Sequence, residues 1–139
     1  MSLKLEDDHM CYVCGTKNTH GLRLTFEHPK KNLLKAEVVF QKHHQGFKDI
    51  VHGGMMGLVL DEMMVNLAWK EGIPAVSAEL TVRLKKASKI GEKIYLEGRI
   101  DKDEGRALYT SASATNSAGE VLATAKATCL RIKTNTHNS

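Results

Sequence analysis

Val51-His52-Gly53-Gly54-Met55-Met56-Gly57-Leu58-Val59-Leu60-Asp61-Glu62-Met63-Met64-Val65-Asn66-Leu67-Ala68-Trp69 is the stretch from which the rest of the chain is read. A glycine pair opens an almost entirely apolar segment, and one acidic pair, Asp61-Glu62, sits in its middle. The run predicts a helix from about Gly53 to Lys70, stopped at Gly72 with Pro74 just beyond. Glycines at a helix start leave the first backbone N–H groups bare, where the macrodipole favours negative charge and a developing oxyanion can be held. Carboxylates on so apolar a helix are costly to bury unless something pairs or uses them. The combination points to chemistry at a carbonyl.

Outward from the helix, periodicity predicts strands. Leu22, Leu24 and Phe26 alternate with Arg23, Thr25 and Glu27, a half-buried strand signature. Ala36, Val38 and Phe40 repeat it after a turn through His28-Pro29-Lys30-Lys31-Asn32, and a loop then runs from Gln41 to Val51. Beyond the helix, Ala78, Leu80, Val82 and Leu84 alternate with polar residues without a break. Ile94, Leu96, Gly98 and Ile100 follow on the next strand, with a hairpin turn at Asp103-Glu104-Gly105. A strand from about Arg106 to Asn116 turns through Ser117-Ala118-Gly119-Glu120 into the last, Val121 to Lys133. There Ala123, Ala125, Ala127 and Cys129 form a small apolar face on which a helix can pack closely. The prediction is an α+β domain: two strands, one long helix, then a four-stranded antiparallel meander, the sheet wrapped around the helix. One sheet around one helix leaves parts of both uncovered, so a homodimer is expected, with a dimer of dimers as a further assembly.

Composition narrows the class. A chain of 139 residues is one domain, with 42% hydrophobic and 26% charged residues marking it as globular. Residues 1–10 are expected to be a flexible N-terminus, 11–133 the single domain and 134–139 a disordered tail. Twenty basic residues against 16 acidic ones give a net charge of +4, which favours an anionic ligand. The basic residues are dispersed and aromatics are only 5%, which argues against nucleic acid. No apolar run reaches the roughly 18 residues of a membrane span and no signal peptide opens the chain, so a cytoplasmic protein without a membrane partner is expected.

Three cysteines cannot make a disulfide framework. Cys11-Tyr-Val-Cys14-Gly15 has the spacing of half a zinc ribbon with His9 and His20 near, but a second CxxC is missing. These thiols are therefore read as reduced and packed near an N-terminal turn, and no metal is expected. The adjacent His43 and His44 are left unassigned. Met55, Met56, Met63 and Met64 are read as core and dimer contacts, and Trp69 as closing the helix end against the sheet.

The whole order resembles the hotdog-fold acyl-CoA thioesterase superfamily, particularly its phenylacetate-pathway-like group. The resemblance runs from Cys11 to about Lys133. It rests on Cys11-Tyr-Val-Cys14-Gly15, Asn18 and Gly21-Leu22, on Phe47, Ile50-Val51-His52-Gly53-Gly54 and Leu60-Asp61-Glu62, and on Ala75-Val76-Ser77-Ala78-Glu79-Leu80-Thr81-Val82. It implies hydrolysis of a thioester to a carboxylic acid and free coenzyme A, with no cofactor. By the same resemblance Gly53 gives its N–H to the thioester oxygen, Asp61 acts as nucleophile or general base, and Ser77 orients the attacking water. His52 shapes the turn, with Gly54 beside it on the substrate. Relatives often carry an asparagine or glutamine before the histidine; Gln45 is the nearest candidate here, at a different offset. Arg83, Lys85 and Lys86 are candidates to meet coenzyme A phosphates.

Spacing adds one constraint. Asp61 lies eight residues beyond Gly53, about 12 Å along a helix axis. A carboxylate acting on a carbonyl held at the Gly53 amide must lie within about one water of it. One chain cannot easily supply both groups, but two antiparallel helices across a two-fold axis can, giving a site shared by two subunits. Glu62 competes with Asp61, yet adjacent helix residues diverge by about 100°, so only one faces the site. Asp61 is preferred on the family offset. The rival readings are a hotdog hydratase or dehydratase and a non-catalytic acyl-CoA-binding protein.

Overall fold

The computed structural model of the protein describes residues 2–3 and 5–134. The strands are β1 (Ser2–Leu3), β2 (Phe26–Lys30), β3 (Leu33–Val39), β4 (Ala75–Leu84), β5 (Lys93–Asp103), β6 (Ala107–Thr115), β7 (Val121–Arg131) and β8 (Lys133–Thr134). Among the described residues one α-helix, α1, spans Gly53–Lys70, the range expected from its glycine start and apolar run. β2 to β7 form one six-stranded antiparallel sheet of order β2-β3-β5-β6-β7-β4. The short β1 and β8 pair in parallel, Ser2 opposite Lys133. Apart from Thr134, the expected disordered tail lies outside the described residues. Among the described residues, no helix is long and apolar enough to cross a membrane.

The sheet curls around α1, which packs against β3, β4, β5, β6 and β7. Leu60, Met63, Met64 and Leu67 are fully buried in that embrace. Side chains of this size contribute roughly 1.5–3 kcal/mol each on burial. The small face Ala123, Ala125, Ala127 and Cys129 is buried beneath the helix. β5 comes close to the helix backbone at Gly98, where a Cβ would lie 2.6 Å from the Met63 carbonyl oxygen. Trp69 donates its indole N–H to the Ala75 carbonyl at 2.9 Å, tying the helix end to the start of β4.

Four expectations are corrected. Leu22 and Leu24 are not in a strand: Arg23 between them has a φ of 50°. Their N–H groups instead bond the carbonyls of Tyr12 and Val13, at 2.9 and 2.8 Å. The strand starts at Phe26 and runs through Pro29, which an edge strand tolerates, and the turn contracts to Lys31-Asn32 with Asn32 at φ 64°. The last four strands are not a simple meander, because β4 pairs with β7 and β3 takes the place beside β5. The alternation of β4 is also broken. A bulge between Ser77 and Glu79 adds Ala78, so Ser77 opposite Cys129 and Leu80 opposite Ala127 lie on the same inner face.

Candidate active site

The helix start is built by two histidines. His44 is buried, accepts the Gln41 N–H on Nδ1 at 2.9 Å, and offers its carbonyl to the His52 N–H at 3.0 Å. Its Nε2 is buried without a partner among the described residues, and burial, then the neighbouring His43, lowers its pKa. His52 caps α1: its Nδ1 accepts the Gly54 N–H at 2.9 Å, placing the proton of the neutral ring on Nε2. The Gly54 N–H is therefore engaged. The Gly53 N–H, first in the helix, has no intrahelical acceptor and none among the other described residues. Of the glycine pair, only Gly53 has an amide free to meet a ligand.

Asp61 sits two turns on, half-buried on the helix face toward β4. Its Oδ1 is buried with no partner among the described residues. Burial raises its pKa, while a hydrogen-bonding interaction with the Ser77 hydroxyl pulls the other way. The bulge at Ala78 turns Ser77 inward here, on the face where Cys129 lies close enough to feel the Asp61 charge. An incompletely bonded carboxylate beside one hydroxyl in an apolar wall is poised to take a proton or attack an electrophile.

Glu62 points elsewhere. Its Oε2 accepts the Asn66 amide at 3.1 Å, and its Oε1 lies 3.9 Å from the Cys11 sulfur. The two acids thus serve different faces of α1. The Cys11–Glu62 approach joins residues far apart in the sequence, a pairing that no local pattern signals.

The other predicted residues are dispersed. The Gln45 Oε1 accepts the Asp49 N–H at 3.0 Å, closing the 45–51 loop. Arg83 is exposed on the outer face of the sheet, where it lines a cleft of about 860 Å³ that includes none of Gly53, Asp61 and Ser77. Lys85 is exposed at the end of β4, and Lys86 is ion-paired with Glu120.

A six-stranded antiparallel sheet in the order 2-3-5-6-7-4 curled around one long helix settles the architecture. The chain has the hotdog fold. A solved thioesterase superfamily protein superposes on it with a TM-score of 0.83 at 21% identity, over 88% of this chain and 60% of its own length. The chain thus spans three fifths of that protein. A Streptococcus mutans protein solved bound to acetyl CoA superposes with a TM-score of 0.75 at 17% identity, over 79% of this chain and 89% of its own. In sequence, a protein of Archaeoglobus fulgidus named "Putative esterase" is 28% identical over 104 residues, 74% of this chain and 67% of its own length. No family model matches the chain.

Within one hotdog protomer the helix runs antiparallel to β4. Gly53 lies against Leu84, Gly57 against Val82, and Asp61 beside Ser77. Gly53 and Asp61 stay about two helical turns apart, roughly 12 Å along the axis. The fold brings Asp61 and Ser77 together, and leaves the free amide of Gly53 at the other end of the same strand.

Proposed function

We propose that the protein is an acyl-CoA thioesterase whose site is completed by a second copy of the chain. The observation that carries this reading is Asp61: a half-buried carboxylate with one oxygen unbonded, held beside Ser77 in an apolar helix. β4 is an edge strand with an open ladder, and it exposes Leu80 and Leu84. Such an edge invites pairing with another strand. Antiparallel pairing of two β4 strands about a two-fold axis sets the Leu84 end of one beside the Ser77 end of the other. The partner subunit's Gly53 then approaches Asp61, which a single protomer does not allow.

In that site Asp61 takes a proton from water as the water oxygen attacks the thioester carbon, or attacks that carbon itself. The Gly53 N–H of the partner subunit receives the charge building on the carbonyl oxygen. The carbon–sulfur bond then breaks and coenzyme A leaves as its thiolate. On the water route the acid is released directly and the thiolate takes up the proton held by Asp61. On the direct route the acyl group stays on Asp61 as a mixed anhydride until water hydrolyses it to the acid and the free carboxylate. A thiolate leaves without much acid assistance, so one carboxylate and an oxyanion site suffice. Acetyl CoA bound to a fold neighbour supports coenzyme A thioesters as the substrate class.

Free-thiol release from a panel of acyl-CoAs, with Asp61→Asn beside the wild type, tests the reading. Turnover that falls at least a hundredfold in the variant is the expected result. Activity surviving the substitution moves the chemistry away from Asp61. Ligand binding without any turnover replaces the enzyme with an acyl-CoA-binding protein.

A further inference from the structure

The N-terminal cysteine pair is folded into a compact turn. The Gly15 N–H donates to the Cys11 carbonyl at 2.8 Å, and the Cys14 N–H to the Cys11 sulfur at 3.5 Å. Only glycine fits after the second cysteine: a Cβ at Gly15 would lie 2.4 Å from the Cys11 nitrogen and 2.6 Å from the His9 carbonyl oxygen. Val13, inside the turn, is buried in the main core. The turn is thus seated on the rest of the domain, and its sulfur atoms face α1.

On the helix the residues facing it are polar. Cys11 Sγ lies 3.9 Å from Glu62 Oε1, and Cys14 Sγ lies 3.9 Å from Asn66 Nδ2. The same Asn66 amide holds the second oxygen of Glu62 at 3.1 Å. The donor atoms of Cys11, Cys14 and Glu62 all lie within 4.8 Å of one another. His9 and His20, which accompany the cysteines in the sequence, are exposed and outside this group.

We propose that Cys11, Cys14 and Glu62 bind a zinc ion that clips the N-terminal turn to the middle of the central helix. Three donors 3.9 Å apart share a centre about 2.3 Å from each, and at 4.8 Å that radius grows to about 2.8 Å; zinc–thiolate bonds are about 2.3 Å. Drawing each donor in by up to about half an ångström closes the site. Two sulfurs and one carboxylate suit zinc, since thiolates select against hard cations and the carboxylate disfavours purely soft ones. The backbone N–H on Cys11 Sγ and the Asn66 amide on Glu62 are the outer hydrogen bonds that orient such ligands. The fourth position falls to water. Glu62 and Asp61 diverge around the helix, so the metal is a structural clip and takes no part in chemistry at Asp61.

Metal content of the full chain, purified under reducing conditions without chelator, tests the site independently of any enzymatic activity. Wild type and Asp61→Asn are expected to retain about one zinc per chain. Cys14→Ser and Glu62→Gln are expected to lose it. Asn66→Ala, which removes the outer hydrogen bond, weakens zinc binding by roughly 10–100-fold. Should Cys14→Ser fail to fold, titrating metal-free wild type with cobalt gives a second readout. A sulfur-to-cobalt charge-transfer band with tetrahedral visible absorption, displaced by zinc, supports the site. Zinc-free wild type with no cobalt band overturns it, and so does a Cys11–Cys14 disulfide found by mass under those reducing conditions.

Discussion

Leu84 occupies the space that a side chain on Gly53 would fill: a Cβ there would lie 2.6 Å from its Cδ1. The start of the helix therefore rests directly on the end of the edge strand, and the free Gly53 amide is positioned by that contact. Gly53→Ala is expected to cost no more than about 1 kcal/mol, because the Leu84 methyl it meets is the end of an exposed side chain that can turn aside. Combining it with Leu84→Ala should recover part of the loss, so the two changes are non-additive in a double-mutant cycle followed by thermal melting. Simple additivity would mean that the contact does not govern the position.

Asp61→Asn should separate stability from activity. Burial makes the folded carboxyl hold its proton more tightly than the unfolded chain does. The native state accordingly loses stability as pH rises from the ordinary carboxyl value through the raised one. An asparagine has no charge to bury, so the variant is expected to melt on the order of 2–4 °C above wild type at neutral pH, while thiol release collapses. Differential scanning calorimetry on the pair measures this, and a lower melting temperature in Asp61→Asn contradicts it.

The pH profile of thiol release follows from the same carboxyl. Activity requires it ionised, so the acid limb should fall above the usual aspartate range. Ser77 partly offsets the effect of burial. Ser77→Ala is expected to move the acid limb upward again, along with any fall in the plateau rate. A limb that stays put when Ser77 is removed would break the link between them.

Glu71 anchors the far end of the helix. Burial works against its charge, but the Asn32 N–H at 3.0 Å, His28 at 2.6 Å and the nearby Lys31 together hold its carboxyl below the usual range. Its stabilisation is present above the unfolded-state value and disappears as pH falls through the lowered one. Glu71→Gln should cost roughly 1–2 kcal/mol at pH 7 by urea unfolding. The gap from wild type should close in acid.

Charge at the open edge tests the assembly. Leu80→Lys with Leu84→Lys is expected to give a monomer by light scattering and to remove turnover, with the monomer still folded by circular dichroism. A folded monomer with full activity would confine the site to one chain.

The helix was legible to the residue because its signals are local: a glycine pair, an unbroken apolar run, and Gly72 with Pro74 behind it. The turns at Gly105 and Gly119 were legible for the same reason, each glycine taking a positive φ. The bulge at Ala78 was not, since no glycine or proline marks it and the alternation reads through it undisturbed. Pairing order was hidden too: that β3 lies beside β5, and β4 beside β7, is decided by how the sheet closes around α1. At the candidate site the sequence pointed to Asp61 and Ser77, which the fold sets side by side. It also placed Gly54 on the substrate, and the Gly54 amide is taken by His52. The nearness of Glu62 to Cys11 is a tertiary event that no spacing rule reaches.

The strand order also carries a kinetic consequence. β4 follows the helix directly, yet its ladder partner β7 is made only after β5 and β6. As the chain emerges during synthesis, β4 has no ladder neighbour until β5, β6 and then β7 are made, and the helix lacks the cover of β6 and β7 for as long. Long-range pairings of this kind slow folding and expose aggregation-prone surface. Truncation within β7 should therefore leave an insoluble chain, while the same sequence extended to Arg131 closes the sheet in its last step.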